Sequence, residues 1–255
     1  MGKRNWCNTM SEDQFVPFHT TDLTGKRVLV LAPHPDDETI GCGGSLALHI
    51  AAGDPVKVVF LTNGAKGDMT GRFERQFYLS LRQEEARKAC DCLGRMELEF
   101  WPYEDRELGV SPGVQERIGE TLKTYAPDLV YVPSPLEFHP DHRAASAFLC
   151  GAVQLYDRSC DIAFCEISQP LRVNRLVDIT SVLKQKTRAL RIYRSQLDER
   201  PYDEVAIALN RFRSMTLPEG VTHAEGFSLW PVDKLRQAAY IGCSLLTGRF
   251  CQDFL

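Results

Sequence analysis

The chain has 255 residues, 44% of them hydrophobic, enough to bury a full core as one domain or two small ones. Its 30 Lys and Arg against 34 Asp and Glu give a formal charge of -4, without the basic footprint of a protein that tracks a nucleic-acid backbone, so no polynucleotide partner is expected. The polar N-terminus lacks the apolar core of a signal peptide, and no stretch reaches the ~20 apolar residues of a membrane span, which together predict a cytoplasmic protein without a transmembrane segment.

After an irregular lead-in, residues 1–22, short apolar β-branched runs alternate with amphipathic stretches, the pattern of βαβ units around a mostly parallel sheet. Residues 26–32 and 57–62 read as strands covered on both faces, with a helix over 45–52 between them that stops at Gly53. A longer helix is expected over 78–93, ended by Gly94, then a strand over 96–101, a helix over 114–125 and a strand over 128–133. Further on, 143–154 reads as helical, 162–167 as extended and 179–193 as helical, with a last helix over 232–246. Residues 200–230, broken by Pro201, Pro218, Gly220 and Gly226, read as loops with short edge strands. No linker or repeat divides the chain, so residues 23–255 are expected to form a single domain.

The nine cysteines are scattered and contain no CxxC pair, which predicts reduced thiols; Cys42, Cys150 and Cys243 have the small or apolar neighbours of packing residues. Two other stretches carry chemistry. His34-Pro35-Asp36-Asp37-Glu38 follows the first strand, and Glu137-Phe138-His139-Pro140-Asp141-His142 follows the strand at 128–133. Ligands in open α/β sheets collect beyond the carboxyl ends of the strands, so neighbouring strands would open both loops onto one crevice. Taken alone, each loop also reads as a polar turn capping a helix. Together they supply what a hydrolytic metal site needs. A catalytic zinc takes three nitrogen or oxygen ligands and leaves a fourth position for water, and His34, Asp37 and His142 are assigned as those ligands. Asp36 is then placed to act as general base, His139 to stabilise a developing oxyanion or protonate the leaving group, and Asp141 to orient one histidine through its ring N–H. The glycines of Gly41-Cys42-Gly43-Gly44 do not complete a dinucleotide fingerprint, because Leu46 stands where the third glycine belongs; they are expected to let the helix pack closely on the sheet.

These residues resemble the PIG-L/LmbE-like N-acetylglucosaminyl deacetylases. The likeness rests on APHPDDETIGCGG, TNGAKG, RQEEARKACDCLG and APDLVYVPS with HPDH, followed in the family's order by VDITSVLKQKTRALRIYRSQ and HAEGF. The resemblance implies a Rossmann-like three-layer α/β sandwich that holds one divalent metal, Zn2+ or another such as Fe2+, and hydrolyses the acetamide of an N-acetylated amino sugar. It assigns the same roles to His34, Asp37, His142, Asp36 and His139, and makes Arg82 a candidate substrate contact, the alternative being a helical ion pair with Glu85. Many relatives carry Gly-Glu where this chain has Gly64-Ala65. The glycine-containing, charged loop 64–75 reads either as a gate or as a solvated turn. His223 is expected to be structural, and His19 and His49 have no evident partner.

The expected function is metal-dependent removal of an N-acetyl group from an N-acetylglucosamine-type moiety of a small glycoconjugate. The alternatives are an amidase of thiol-sugar conjugates and a non-catalytic module that binds a sugar nucleotide. The expected partner is a small N-acetylated amino sugar, with homo-oligomerisation left open; residues 235–255 are expected to pack on the sheet.

Overall fold

The computed structural model describes residues 11–237. Its first half runs β1 Val28–Ala32, α1 Asp37–Ala51, β2 Val56–Thr62, α2 Arg75–Leu93, β3 Glu97–Tyr103, α3 Val114–Tyr125, β4 Leu129–Pro133 and α4 Pro140–Ala152. The second half adds β5 Asp161–Cys165, β6 Arg175–Asp178, α5 Leu183–Leu190, α6 Arg194–Leu197, α7 Tyr202–Arg213, β7 Ala224–Pro231 and α8 Val232–Gln237.

The strands form one sheet in the order β3-β2-β1-β4-β5-β7-β6. The first five strands in the chain are mutually parallel, with Val28 of β1 opposite both Val56 and Leu129, while β7 runs antiparallel to β5 and β6. All five residues of β1 are buried, as a doubly covered strand requires. Alternate side chains feed two cores. Val28, Val30 and Ala32 join Leu46, Ala86, Leu93 and Ala189 under α1, α2 and α5. Leu29 and Leu31 join Ile118, Leu122, Leu149 and Val232 under α3, α4 and α8. The result is the expected three-layer α/β sandwich. Strand order reverses between β1 and β4, so the crevice for a ligand lies past their carboxyl ends. No helix among the described residues is long and apolar enough to cross a membrane.

Several boundaries differ from the sequence expectation. The first helix starts at Asp37 rather than 45, because the glycine run sits inside it at a kink where Cys42 is non-helical (φ -144°, ψ 17°). The fourth starts at Pro140, with His139 as its cap. The single helix expected over 179–193 is a 3-10 turn, Thr180–Val182, followed by α5. Residues 200–230 contain a twelve-residue helix, α7, and β7, which lies inside the sheet; the edge strand is β6. The helix at 232 is described to Gln237, and Cys243 with most of 235–255 lies outside the described residues.

Candidate metal centre

The two loops meet because β1 and β4 are neighbours. The first loop is tied to the end of β2, where Thr62 donates both its N–H and its hydroxyl to the Pro33 carbonyl (2.9 and 2.8 Å). It then turns through Asp36, whose φ of 136° is a costly conformation for a residue with a Cβ, into the first turn of α1. Asp37 secures that turn by accepting the His34 backbone N–H (2.8 Å). The second loop is held by the buried carboxylate of Glu137, which accepts the N–H groups of Ile167, Ser168 and Gln169 (2.9, 3.0 and 3.3 Å). Pro140 then occupies the first helical position, its fixed φ suited to a helix start, and places His142 one turn in.

Three atoms converge between the loops. His34 Nδ1 lies 3.1 Å from Asp37 Oδ2, His142 Nε2 lies 3.3 Å from the same oxygen, and the two nitrogens are 3.3 Å apart. A tetrahedral ion with bonds of ~2.0–2.1 Å holds its ligand atoms ~3.3 Å from one another, so the residues present fit a zinc-type ion. His34, His139 and His142 also offer nitrogens within 4.8 Å of one another. The set with Asp37 is the better one. It supplies a charge-neutralising oxygen with all three atoms 3.1–3.3 Å apart, and His139 Nδ1 is already engaged, accepting the Asp141 N–H (3.3 Å).

The outward nitrogens of both imidazoles face carboxylates. Asp141 Oδ2 lies 3.2 Å from His34 Nε2, and Asp141 is fixed by the N–H groups of Arg106 and Leu108 (2.6 and 3.2 Å). Glu137 Oε2 stands 3.5 Å from His142 Nδ1. Such partners set the tautomer of a ligating histidine and strengthen it as a donor. Asp141 thus has the geometry of its expected role. Asp105 and Glu137 are additions. Asp105 Oδ1 is 3.2 Å from His34 Nε2; burial, which would make its carboxyl a weaker acid, is outweighed by the His34 imidazole, which holds it far below the usual carboxylate range. The signal for Asp105 was its position just past a strand at 96–101, at the same end as the two loops.

Asp36 is buried beside Asp37, and burial pushes its carboxyl up to about 7 against the opposing pull of Arg82. Arg82, 2% exposed, donates to the Pro35 carbonyl and sits 3.5 Å from Asp36 Oδ2. The alternative ion pair is not formed; Glu85 accepts the N–H and hydroxyl of Ser195 (2.9 and 2.6 Å). Burial lowers His139 to about 4, with the His34 and His142 imidazoles acting the same way. A neutral ring that accepts at Nδ1 carries its proton on Nε2 and can donate there.

The remaining histidines lie apart from the cluster. His223 bonds the Thr222 hydroxyl (3.0 Å), and His49 is a satisfied core residue between Asp54 and Tyr131 (2.7 and 3.0 Å). The loop 64–75 is anchored: Asp68 accepts the N–H groups of Arg72 and Phe73, and Arg72 pairs with Asp198 and Glu199 (3.0 Å each). Every described cysteine is a free thiol, and Cys42 and Cys150 are buried in packing positions.

Residues 29–153 match the family model of GlcNAc-PI de-N-acetylases, PIG-L, and both metal loops fall inside the match. The matched stretch, just under half of the chain, is similar to that family. The chain is 29% identical over 227 residues to a diacetylchitobiose deacetylase of Thermococcus kodakarensis, covering 80% of this chain and 85% of that one. A 2'-N-acetylparomamine deacetylase of Streptomyces fradiae is 27% identical over 236 residues, covering 78% and 82%. Among solved structures, the N,N'-diacetylchitobiose deacetylase of Pyrococcus horikoshii superposes with a TM-score of 0.72 at 28% identity, covering 81% of this chain and 84% of that one.

Proposed function

We propose that this chain is a metal-dependent deacetylase that hydrolyses the acetamide of an N-acetylglucosamine-type sugar, with His34, Asp37 and His142 holding the ion. The reading is carried by the triangle of ligand atoms 3.1–3.3 Å apart at the point where strand order reverses. Two imidazoles and one carboxylate suit Zn2+ first and Fe2+ second. A divalent ion there supplies a Lewis acid for the amide carbonyl and makes water more acidic.

The chain's own side chains do the rest. Asp36 takes a proton from the attacking water, with a carboxyl whose burial-raised value of about 7 suits a base near neutrality. Arg82 acts through Asp36, holding the loop at the Pro35 carbonyl, and its 2% exposure favours a positioning role. His139 donates from Nε2 to the oxygen that gains charge. Asp141 holds the His34 ring, with Asp105 beside it, and Glu137 stands behind the ring of His142.

The test is purified protein assayed for bound metal and then against a panel of N-acetylglucosaminyl compounds, with acetate as the readout. About one divalent ion per chain and acetate release that stops on chelation are expected. Release of a larger acid in place of acetate would move the reading to an amidase. A wild-type chain with no stoichiometric ion would overturn it in favour of a binding module.

A further inference from the structure

The kink in α1 is filled by two side chains from the far end of the chain. In an unbroken helix the Ile40 carbonyl would accept the Gly44 N–H. Here Lys186 Nζ of α5 donates to the Ile40 carbonyl (2.9 Å), and Glu225 Oε1 of β7 accepts the Gly44 N–H (2.7 Å). Glu225 Oε2 accepts the N–H and hydroxyl of Ser45 (2.8 and 2.6 Å), and the two inserted groups pair with each other at 2.6 Å. Lys186 is 0% and Glu225 1% exposed. Gly44 makes room for them, since a Cβ there would lie 2.6 Å from Ile179 and 3.0 Å from the Glu225 carboxylate. Side chains inserted into the helical ladder are a recognised cause of kinks.

We propose that Lys186 and Glu225 are positioning residues of the metal centre, setting the direction of the first turn of α1 and with it the ligand Asp37. This rests on the metal-centre reading above. The polarity is the argument. The cation caps the carbonyl that ends the first turn, and the anion caps the N–H groups that begin the rest of the helix. A buried pair retained only for stability could point either way, and apolar residues of similar volume replace such pairs at little cost. This pair works in one orientation. It also accounts for the VLKQKT and HAEGF stretches, both outside the matched residues 29–153.

The experiment compares wild type, Lys186→Met, Glu225→Gln, the double neutral variant and the charge-swapped Lys186→Glu/Glu225→Lys. Each is read by Zn2+ affinity in competition with a chelator and by the visible spectrum of Co2+-loaded protein, which reports ligand geometry; circular dichroism checks folding. Folded neutral variants are expected to lose about tenfold or more in affinity, as partners behind ligands do, and to shift the Co2+ bands. The swap is expected to give no rescue, because it turns a carboxylate toward a carbonyl and an ammonium toward N–H groups. Wild-type affinity and spectrum in the folded double neutral variant, or their recovery in the swap, would overturn the proposal. Should these variants not fold, Ser45→Ala decides, since it removes one bond to Glu225: a few-fold loss supports the role and an unchanged centre refutes it. No stoichiometric ion in wild type would instead sink the metal centre, and the positioning role with it.

Discussion

The two metal loops and the elements from β5 to β7 are built by different means. His34 meets Asp37 three residues on, and His139 caps the helix that carries His142, so the donor atoms are arranged largely by bonds local to each loop. The later region is held by partners far apart in the chain: Glu166 with Arg213, Glu85 with Ser195, and Lys186 and Glu225 with α1. The donor set is thus a local property, while its placement relative to the rest of the fold is a property of the whole chain. Substitutions in the loops should change chemistry, and those in the later region should change the frame, reaching the site only through Lys186 and Glu225 at the kink of α1.

The sharpest way to break that division is at the ligands. His142→Ala or His34→Ala should lose the ion altogether under chelator challenge, measured by metal analysis after gel filtration; full occupancy in both would refute the donor set. Next in size, Asp36→Asn should cost on the order of a hundred-fold or more in turnover with the metal retained. His139→Ala should lose roughly a hundred-fold through the transition state, again with metal in place. Loss of metal from Asp36→Asn would exchange the roles of the two aspartates.

On the other side of the comparison, Glu166→Ala leaves the buried guanidinium of Arg213 without its carboxylate and should cost about 3 kcal/mol or more of stability. Glu166 makes its hydrogen bonds to Arg213 and the Leu171 N–H rather than to α1, so Zn2+ affinity should hold; a parallel fall in affinity would erase the distinction between frame and site. A smaller effect follows from pH. Burial alone would lower His142, but the adjacent Asp37 raises it to about 9. A raised value means that in chelator-stripped protein this histidine contributes stability that is complete below about 6.5 and is lost as pH rises through about 9, a few kcal/mol at most. The metal-loaded protein should show the opposite slope, since protons then compete with the ion. Melting temperatures with and without chelator from pH 6 to 10 test it, and parallel slopes would count against His142 as a ligand. The smallest effect belongs to Arg72→Ala, which releases a solvent-screened ion-pair cluster and should raise KM only slightly, more so at low salt.

The two candidate loops could be picked out in advance because each is a short polar run, His34–Glu38 and Glu137–His142, that follows a recognisable apolar strand. The kink could not. Gly41 to Gly44 looks the same in sequence whether it precedes a helix or lies within one, and the side chains that decide the matter stand at 186 and 225. Helix α7 was obscured by the prolines and glycines around it, although Val205, Ala206, Ile207 and Leu209 form an apolar run within YDEVAIALNRFR. The interior place of β7 had no local signal, since an antiparallel strand entering between β5 and β6 is a matter of pairing rather than periodicity. Arg82 was found, but its burial against Asp36 depended on a loop 47 residues earlier.

The two borders of the sheet are guarded unequally. At β3, Glu97 and Glu99 pair with Lys57, and Pro102 withholds one backbone donor, so a second sheet finds charge and a missing N–H. At β6 a four-residue strand is covered by the lead-in, where Thr21 donates to the Leu176 carbonyl (2.7 Å) and Pro17 accepts the Thr216 hydroxyl (2.6 Å). A chain begun at residue 23 would keep every catalytic group and lose that cover. It should self-associate through β6, visible as rising light scattering with concentration, where the longer chain stays dispersed; equal scattering from both would show that β6 protects itself.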